Sequence, residues 1–173
     1  MFQRSKQRGF TIVELLIVIV IIGILAAIVI VAYNGVQNRA YDTTVKGDLT
    51  SAAKALELYK VNSSAGLYPQ NPTELDAMQS AGKYPLKASK SAYYTTSSNN
   101  FIYCYGVTPG ASYAIVTRSK SNTTYYISNT SGGPQTLSSW QNGMAGACPP
   151  AGQAASGVWG YGNTDGWSSW VSS

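Results

Sequence analysis

The stretch RGFTIVELL, Arg8 to Leu16, joins a short basic leader to a strongly apolar segment whose one charge is Glu14. Downstream, Leu15 to Ala32 is an unbroken run of 18 apolar residues, relieved in bulk only at Gly23. A helix of that length lies at the lower edge of what crosses a bilayer core, which takes about 20 residues. Tyr33 follows where an amphipathic ring favours a membrane interface. Arg4, Lys6 and Arg8 precede the run with no acid among them, so the charge asymmetry holds the N-terminus in the cytoplasm and exports everything after Tyr33. A cleaved secretory signal fits poorly: its apolar region spans about 7–15 residues and is followed promptly by a small-x-small site, which this chain lacks. An uncleaved signal anchor is the other reading of this segment.

With 173 residues the chain has room for one anchor and one small head. The formal net charge is +5, and setting aside Arg4, Lys6 and Arg8 leaves +2. The basic balance is therefore partly a property of the leader and says little about a nucleic-acid partner. One acid, Glu14, stands at the mouth of the run. A carboxylate near hydrocarbon is expensive unless it meets a positive group or takes up a proton, so Glu14 asks for a partner.

The segment RGFTIVELLIVIVIIGILAAI resembles the N-terminus of the type IV filament family, which comprises type IV pilins, competence pilins and the pseudopilins of type II secretion. The family's processing site is Gly followed by Phe or Met, then Thr, with Glu as the fifth residue of the mature chain. The resemblance implies a leader over residues 1–9, cleavage between Gly9 and Phe10 by a prepilin peptidase, and N-methylation of Phe10 by the same enzyme. It also implies filament assembly through Phe10 and Glu14, the carboxylate neutralising the free amine of Phe10 in a neighbouring subunit and so setting the axial stagger. An intramolecular pair across the four residues between them is the alternative. Many pilins carry Pro about two-thirds of the way down the span, and here Val31 stands there.

Beyond the membrane, Val45, Leu49, Ala52, Leu56 and Tyr59 recur at helical spacing and predict one apolar stripe. Asp42 and Lys46 are placed for an i,i+4 pair. The reading is a spine helix from Phe10 to about Val61, with residues 10–34 as its transmembrane and filament-core half and residues 35–61 as its amphipathic half. Residues 62–173 form the head. Gly66 closes the spine, and Asn71, Pro72 and Glu74 make a capped start for a short helix over Pro72 to Ala81. Phe101 to Val107, Ser112 to Arg118 and Thr123 to Ser128 read as strands of an antiparallel meander separated by TPGA and SKSN turns. One face of that sheet, bearing Phe101, Tyr103 and Tyr105 or Tyr113, Ile115 and Thr117, packs on the stripe. The fold class is α+β, a long N-terminal helix against a small antiparallel sheet, pilin-like.

Cys104 and Cys148 both fall in the exported part, where a disulfide is the default. It resembles the bridge with which many pilins tie their C-terminal region to the sheet. The stretch from Gly152 mixes Gly and Ser with Trp159, Tyr161, Trp167 and Trp170, and reads as an extra strand or a long surface loop whose aromatics pack back, bind sugar or meet a neighbour. Asn62, Asn122 and Asn129 open N-x-Ser/Thr triplets, which are frequent by chance in such a head. The sequence has no His and its acids show no metal or acid–base spacing, so it gives no support to an enzyme and implies no cofactor or metal.

The family resemblance implies self-association into a helical filament, an assembly platform and ATPase, other minor pilins, and residence in the cytoplasmic membrane before assembly. The fibre would serve adhesion, twitching motility or DNA uptake. Lys83, Lys87, Lys90, Arg118 and Lys120 offer only a weak DNA-facing patch. The same-family alternatives are a minor pilin and a secretion pseudopilin; major pseudopilins often carry a calcium site, and no comparable acidic cluster stands in this sequence. The alternative of a different class is a membrane-anchored surface adhesin or lectin.

Overall fold

The computed structural model describes residues 9–172 apart from 81, 97, 98, 139, 141, 142 and 163, and of Val31 the backbone only. All of the proposed leader except Gly9, and the final residue of the expected 72–81 helix, lie outside the described residues. Among the described residues the α-helices and strands follow in the order α1 (Ile12–Asn62), α2 (Pro72–Ser80), β1 (Leu86–Lys87), β2 (Asn100–Tyr105), β3 (Tyr113–Arg118), β4 (Thr124–Ser128), β5 (Gln135–Leu137), α3 (Met144–Ala147), β6 (Gly157–Gly162), β7 (Gly166–Trp167) and β8 (Val171–Ser172). The chain divides into two compact units between Gln37 and Asn38. Helix α1 is unbroken through Gly23, Val31, Gly35 and Gly47.

In the second unit the stripe read from the sequence is the buried face of α1. Val45, Leu49, Ala52 and Leu56 are fully buried, and Tyr59 packs half-buried against them. Opposite them stand Phe101 and Tyr103 of β2, Tyr113 and Ile115 of β3, and Tyr125 and Ile127 of β4. Alternation along a strand sends every second residue to this face. Each large apolar side chain withdrawn from water contributes roughly 1.5–3 kcal/mol, so this helix-on-sheet seam is the principal source of the head's stability. The other residues of the same strands, Ile102, Cys104, Ala114 and Val116, form a second cluster with Ala147, Cys148 and Ala151. The sheet is thus covered on both faces, by α1 on one and by the α3 segment on the other.

Several local expectations shift. Helix α1 begins at Ile12 rather than Phe10 and ends at Asn62, within a residue of the expected Val61, where Ser63 takes over: its Oγ accepts from the Leu67 N–H at 3.1 Å. Asp42 and Lys46 do not pair with each other; Asp42 accepts from the Ser121 hydroxyl, and Lys46 Nζ lies 4.8 Å from the centre of the Tyr125 ring. The first strand of the meander stops at Tyr105 rather than Val107, since Gly106 is wedged against Ser112, where a Cβ would stand 2.6 Å from the backbone oxygen. The next two strands each begin one residue later than read, at Tyr113 and Thr124. At α2 the cap is as expected: Asn71 Oδ1 accepts from Glu74 N–H at 2.9 Å, and Glu74 Oε2 accepts from Gln70 N–H at 2.9 Å.

The larger difference is topological. The meander is three strands of a six-stranded sheet, ordered β5-β4-β3-β2-β6-β7, in which the glycine-rich β6 lies beside β2. Glycine is what permits that approach. A Cβ on Gly157 would stand 2.2 Å from the Tyr103 carbonyl oxygen, and one on Gly160 2.6 Å from that of Phe101. The last strand, β8, then pairs parallel with β1, Leu86 opposite Val171, and seats Trp170 against Phe101 with ring centres 6.1 Å apart. Of the readings open for the aromatic tail, an extra strand with aromatics packed back on the head is the one seen.

Cys104 and Cys148 form a disulfide with Cα atoms 5.5 Å apart, both fully buried. Closing a loop of this length removes about 4 kcal/mol of unfolded-chain entropy in the loop-closure treatment. The paired Cys104→Ser, Cys148→Ser variant is expected to lower head stability by about 3–4 kcal/mol, read by urea titration of tryptophan fluorescence. An unchanged midpoint would show that the α3 segment holds the sheet without its bridge.

At the seam the buried tyrosines are anchored by their hydroxyls: Tyr103 donates to the Pro69 carbonyl at 3.0 Å, Tyr93 to Asp48 at 2.9 Å and Tyr68 to Glu57 at 2.7 Å. Burial, and next the neighbouring carboxylates, push the phenols of Tyr93 and Tyr68 well up, and burial first of all does so for Tyr103 and Tyr113. A folded value above the unfolded one, about 10, means that the stabilisation is complete below that pH and is lost as pH rises through and above it. The melting temperature of the head should therefore be insensitive to these groups at neutral pH and fall steadily above about pH 10. A melting temperature that is flat into strong alkali would show the phenols ionising freely in the folded state.

Candidate functional site

Gly9 and Phe10 precede α1 outside any helix or strand and exposed, Phe10 by 89%. Thr11 and Glu14 then start the helix by a reciprocal pair of contacts. The Thr11 N–H and hydroxyl both donate to Glu14 Oε2 at 2.8 Å, and the Glu14 N–H donates to Thr11 Oγ1 at 3.2 Å. This is a capping box, the arrangement expected of Thr-x-x-Glu before an apolar run. The pattern was legible at residues 11–14, yet there it reads first as part of the processing motif, and Thr11 goes unremarked as the residue that orients Glu14. One carboxylate oxygen is engaged in this way, and Oε1 accepts nothing among the described residues.

From Phe10 to Val36 the described large apolar side chains are all at least half exposed, with Ile21 at 50% and Ile12 at 85%. Helix α1 is long and apolar enough to cross a membrane by length and composition. In water such a surface would be strongly unfavourable, at about 25 cal/mol for each Å² of apolar area. It therefore requires a covering phase, lipid or other protein. Glu14 is the only charged residue between Gly9 and Arg39.

The other residues singled out in the sequence lie in the second unit. Cys104 of β2 and Cys148 after α3 meet in the disulfide. Among the basic residues, Lys90 and Lys120 line one cavity, Arg118 stacks on Tyr94 with its Cζ 4.3 Å from the ring centre, and Lys83 and Lys87 lie outside it. Among the described residues no three His, Cys, Asp or Glu side chains gather as metal ligands would.

The family described as the prokaryotic N-terminal methylation motif matches residues 4–30, the segment that carries Gly9, Phe10 and Glu14. The chain is 41% identical over 76 residues to the type II secretion system core protein G of Pseudomonas aeruginosa, 44% of this chain and 52% of that one. To the core protein G of Escherichia coli K12 it is 35% identical over 85 residues, 49% of this chain and 57% of that one. It is also 41% identical over 70 residues to the type IV wide pilus major component of Thermus thermophilus, 40% of this chain and 52% of the relative. The chain spans about half the length of the curated relatives it matches. No solved structure matches it.

Proposed function

We propose that this chain, which carries the prepilin methylation motif and has pilin and pseudopilin homologues, is a structural subunit of a type IV pilus filament. The observation that carries the reading is the exposed apolar surface of the first half of α1 behind a processing motif, with one carboxylate at its start. Before assembly that surface sits in the cytoplasmic membrane with the head outside. A prepilin peptidase cuts between Gly9 and Phe10, the same enzyme methylates the Phe10 amine, and an assembly platform with its ATPase transfers the subunit from lipid to filament, with minor pilins as further partners. Apolar helix surface is then covered by copies of itself, and Glu14 answers the Phe10 amine of a neighbour. Adhesion, twitching motility or DNA uptake would follow from the fibre, with the force supplied by partner proteins.

Peptide mass spectrometry of fibres sheared from the cell surface tests this. A dominant methylated peptide beginning at Phe10 is expected; its absence from the fibre fraction would overturn the reading. The similarity to core protein G of type II secretion favours a second reading, a pseudopilin whose short fibre stays in the envelope. Deletion separates the two: loss of surface fibres follows from the first, loss of secreted enzymes with surface fibres intact from the second.

A further inference from the structure

The second unit holds a cavity of about 290 Å³ far from the proposed assembly chemistry in role, lined by Lys90, Ser91, Tyr94, Thr95, Thr96 and Lys120 over a floor of Tyr93. Its walls are fixed by the backbone rather than by side-chain packing alone. Tyr94 N–H donates to the Arg118 carbonyl at 3.0 Å, and Lys120 N–H to the Ala92 carbonyl at 2.8 Å. The Thr95 carbonyl is held by the Tyr161 hydroxyl at 3.1 Å, and the Tyr94 carbonyl by the buried Asn100 amide at 2.6 Å. The cavity is thus preformed, which lowers the ordering cost that a ligand must meet.

Its chemistry is cationic and hydroxylic. Lys90 and Lys120 line the cavity as cations, their Nζ atoms 5.7 Å from the Trp167 ring centre and 5.4 Å from that of Tyr41, from which a rotation of either side chain brings the charge to a ligand, while Ser91, Thr95 and Thr96 bring hydroxyls that both donate and accept. The nearby carboxylates are hydrogen-bonded to hydroxyls and backbone rather than to Lys90 or Lys120. Asp48 takes the Ser89 N–H and hydroxyl and the Tyr93 hydroxyl, and Asp42 takes the Ser121 hydroxyl. Arg118 covers one face of the Tyr94 ring, its Cζ 4.3 Å from the ring centre. The volume sits at the lower end of small-molecule sites, roughly 300–1,000 Å³, and suits one ring with its substituents.

We propose that this cavity binds an anionic sugar unit, its carboxylate or phosphate between Lys90 and Lys120 and its hydroxyls against Ser91, Thr95 and Thr96. A filament carrying one such site per subunit would bind acidic polysaccharide through many weak contacts at once.

Saturation-transfer NMR on the full chain in detergent micelles tests this with glucuronate, glucose 6-phosphate, glucose and oligothymidylate as probes. Glucuronate or glucose 6-phosphate is expected to bind with an affinity of about millimolar, the preference between them identifying a carboxylate or a phosphate source, and glucose at least about tenfold more weakly. Lys120→Gln, at an exposed position, should weaken the anionic sugar about 10- to 100-fold, as loss of a charge-assisted hydrogen bond does. Lys83→Gln, outside the cavity, should leave it unchanged. Equal binding of glucose, binding unaffected by Lys120→Gln, no binding of either anion, or preference for oligothymidylate would each overturn the proposal.

Discussion

Glu14→Ala is expected to enter the membrane and lose its leader normally, yet to leave the cell surface almost without fibres. The step that fails is transfer between phases. In lipid the apolar surface of α1 is already covered, so apolar area alone gives no preference for a neighbouring copy over a lipid tail. A charge pair does give one, because a carboxylate at the edge of hydrocarbon gains most from a cation that has also left water. The structure shapes the test, since Glu14 also completes the cap with Thr11. Removing a cap costs about 1 kcal/mol and frays the first turn, an effect that mimics loss of the pair. Glu14→Gln separates the two, because a glutamine at this position retains the capping box without the charge. The charge argument requires that Gln fail as Ala does and that Thr11→Ala, which weakens the cap and keeps the charge, still give fibres. The readout is the mass of sheared fibre per cell against the processed subunit in the membrane. Wild-type fibre yield from Glu14→Gln would sink the pairing role and leave Glu14 a helix cap alone.

How far the fold could be read in advance depends on where the information lies along the chain. The stripe Val45, Leu49, Ala52 and Leu56 was legible because a helix repeats its face every three or four residues, and burial follows that period. The aromatic alternation of β2 and β3 was legible for the analogous reason. Strand β6 was legible only as one of two readings of the stretch from Gly152, because what qualifies it as a neighbour of β2 is the absence of side chains at Gly157 and Gly160, and glycine carries weak strand preference of its own. The pairing of Leu86 with Val171 had no local signal at all, since the partners are set by closure of the whole head. At the N-terminus the sequence reads as processing chemistry, whereas Thr11 to Glu14 also build the first turn of α1.

The least legible residue in the head has the largest expected effect on its stability. Asn100 reads as one more polar residue in a Ser- and Asn-rich loop, yet it is fully buried at the start of β2. Its side chain behaves as an inserted peptide group. Oδ1 accepts from Arg118 N–H at 2.8 Å, from the Thr117 hydroxyl at 2.9 Å and from Phe101 N–H at 2.7 Å. Nδ2 donates to the carbonyls of Arg118 at 2.8 Å and Tyr94 at 2.6 Å. Main-chain pairing of β2 with β3 runs from Ile102 to Tyr105, so at Arg118 the amide side chain supplies the donor and acceptor that a strand would have offered. Phe101 beside it takes a positive φ of 50°, unusual for a bulky residue, and is held there by packing against Tyr93 and Trp170. Asn100→Ala leaves two buried groups, the Phe101 N–H and the Thr117 hydroxyl, and two partly buried ones, the Arg118 N–H and the Tyr94 carbonyl, without their partner, at about 1–3 kcal/mol for each buried group and less for the others, for a loss of about 5 kcal/mol. That is a large share of the 5–15 kcal/mol typical of a folded domain, so the variant head should be mostly unfolded well below the wild-type melting temperature. Asn100→Asp should lose nearly as much, because it keeps the acceptor but replaces the donor to Tyr94 and Arg118 with a buried charge. Circular dichroism melts of the three proteins decide the matter. A shift of only a few degrees in Asn100→Ala would mean that the freed backbone re-pairs on its own, and that the side chain is a substitute the sheet can do without.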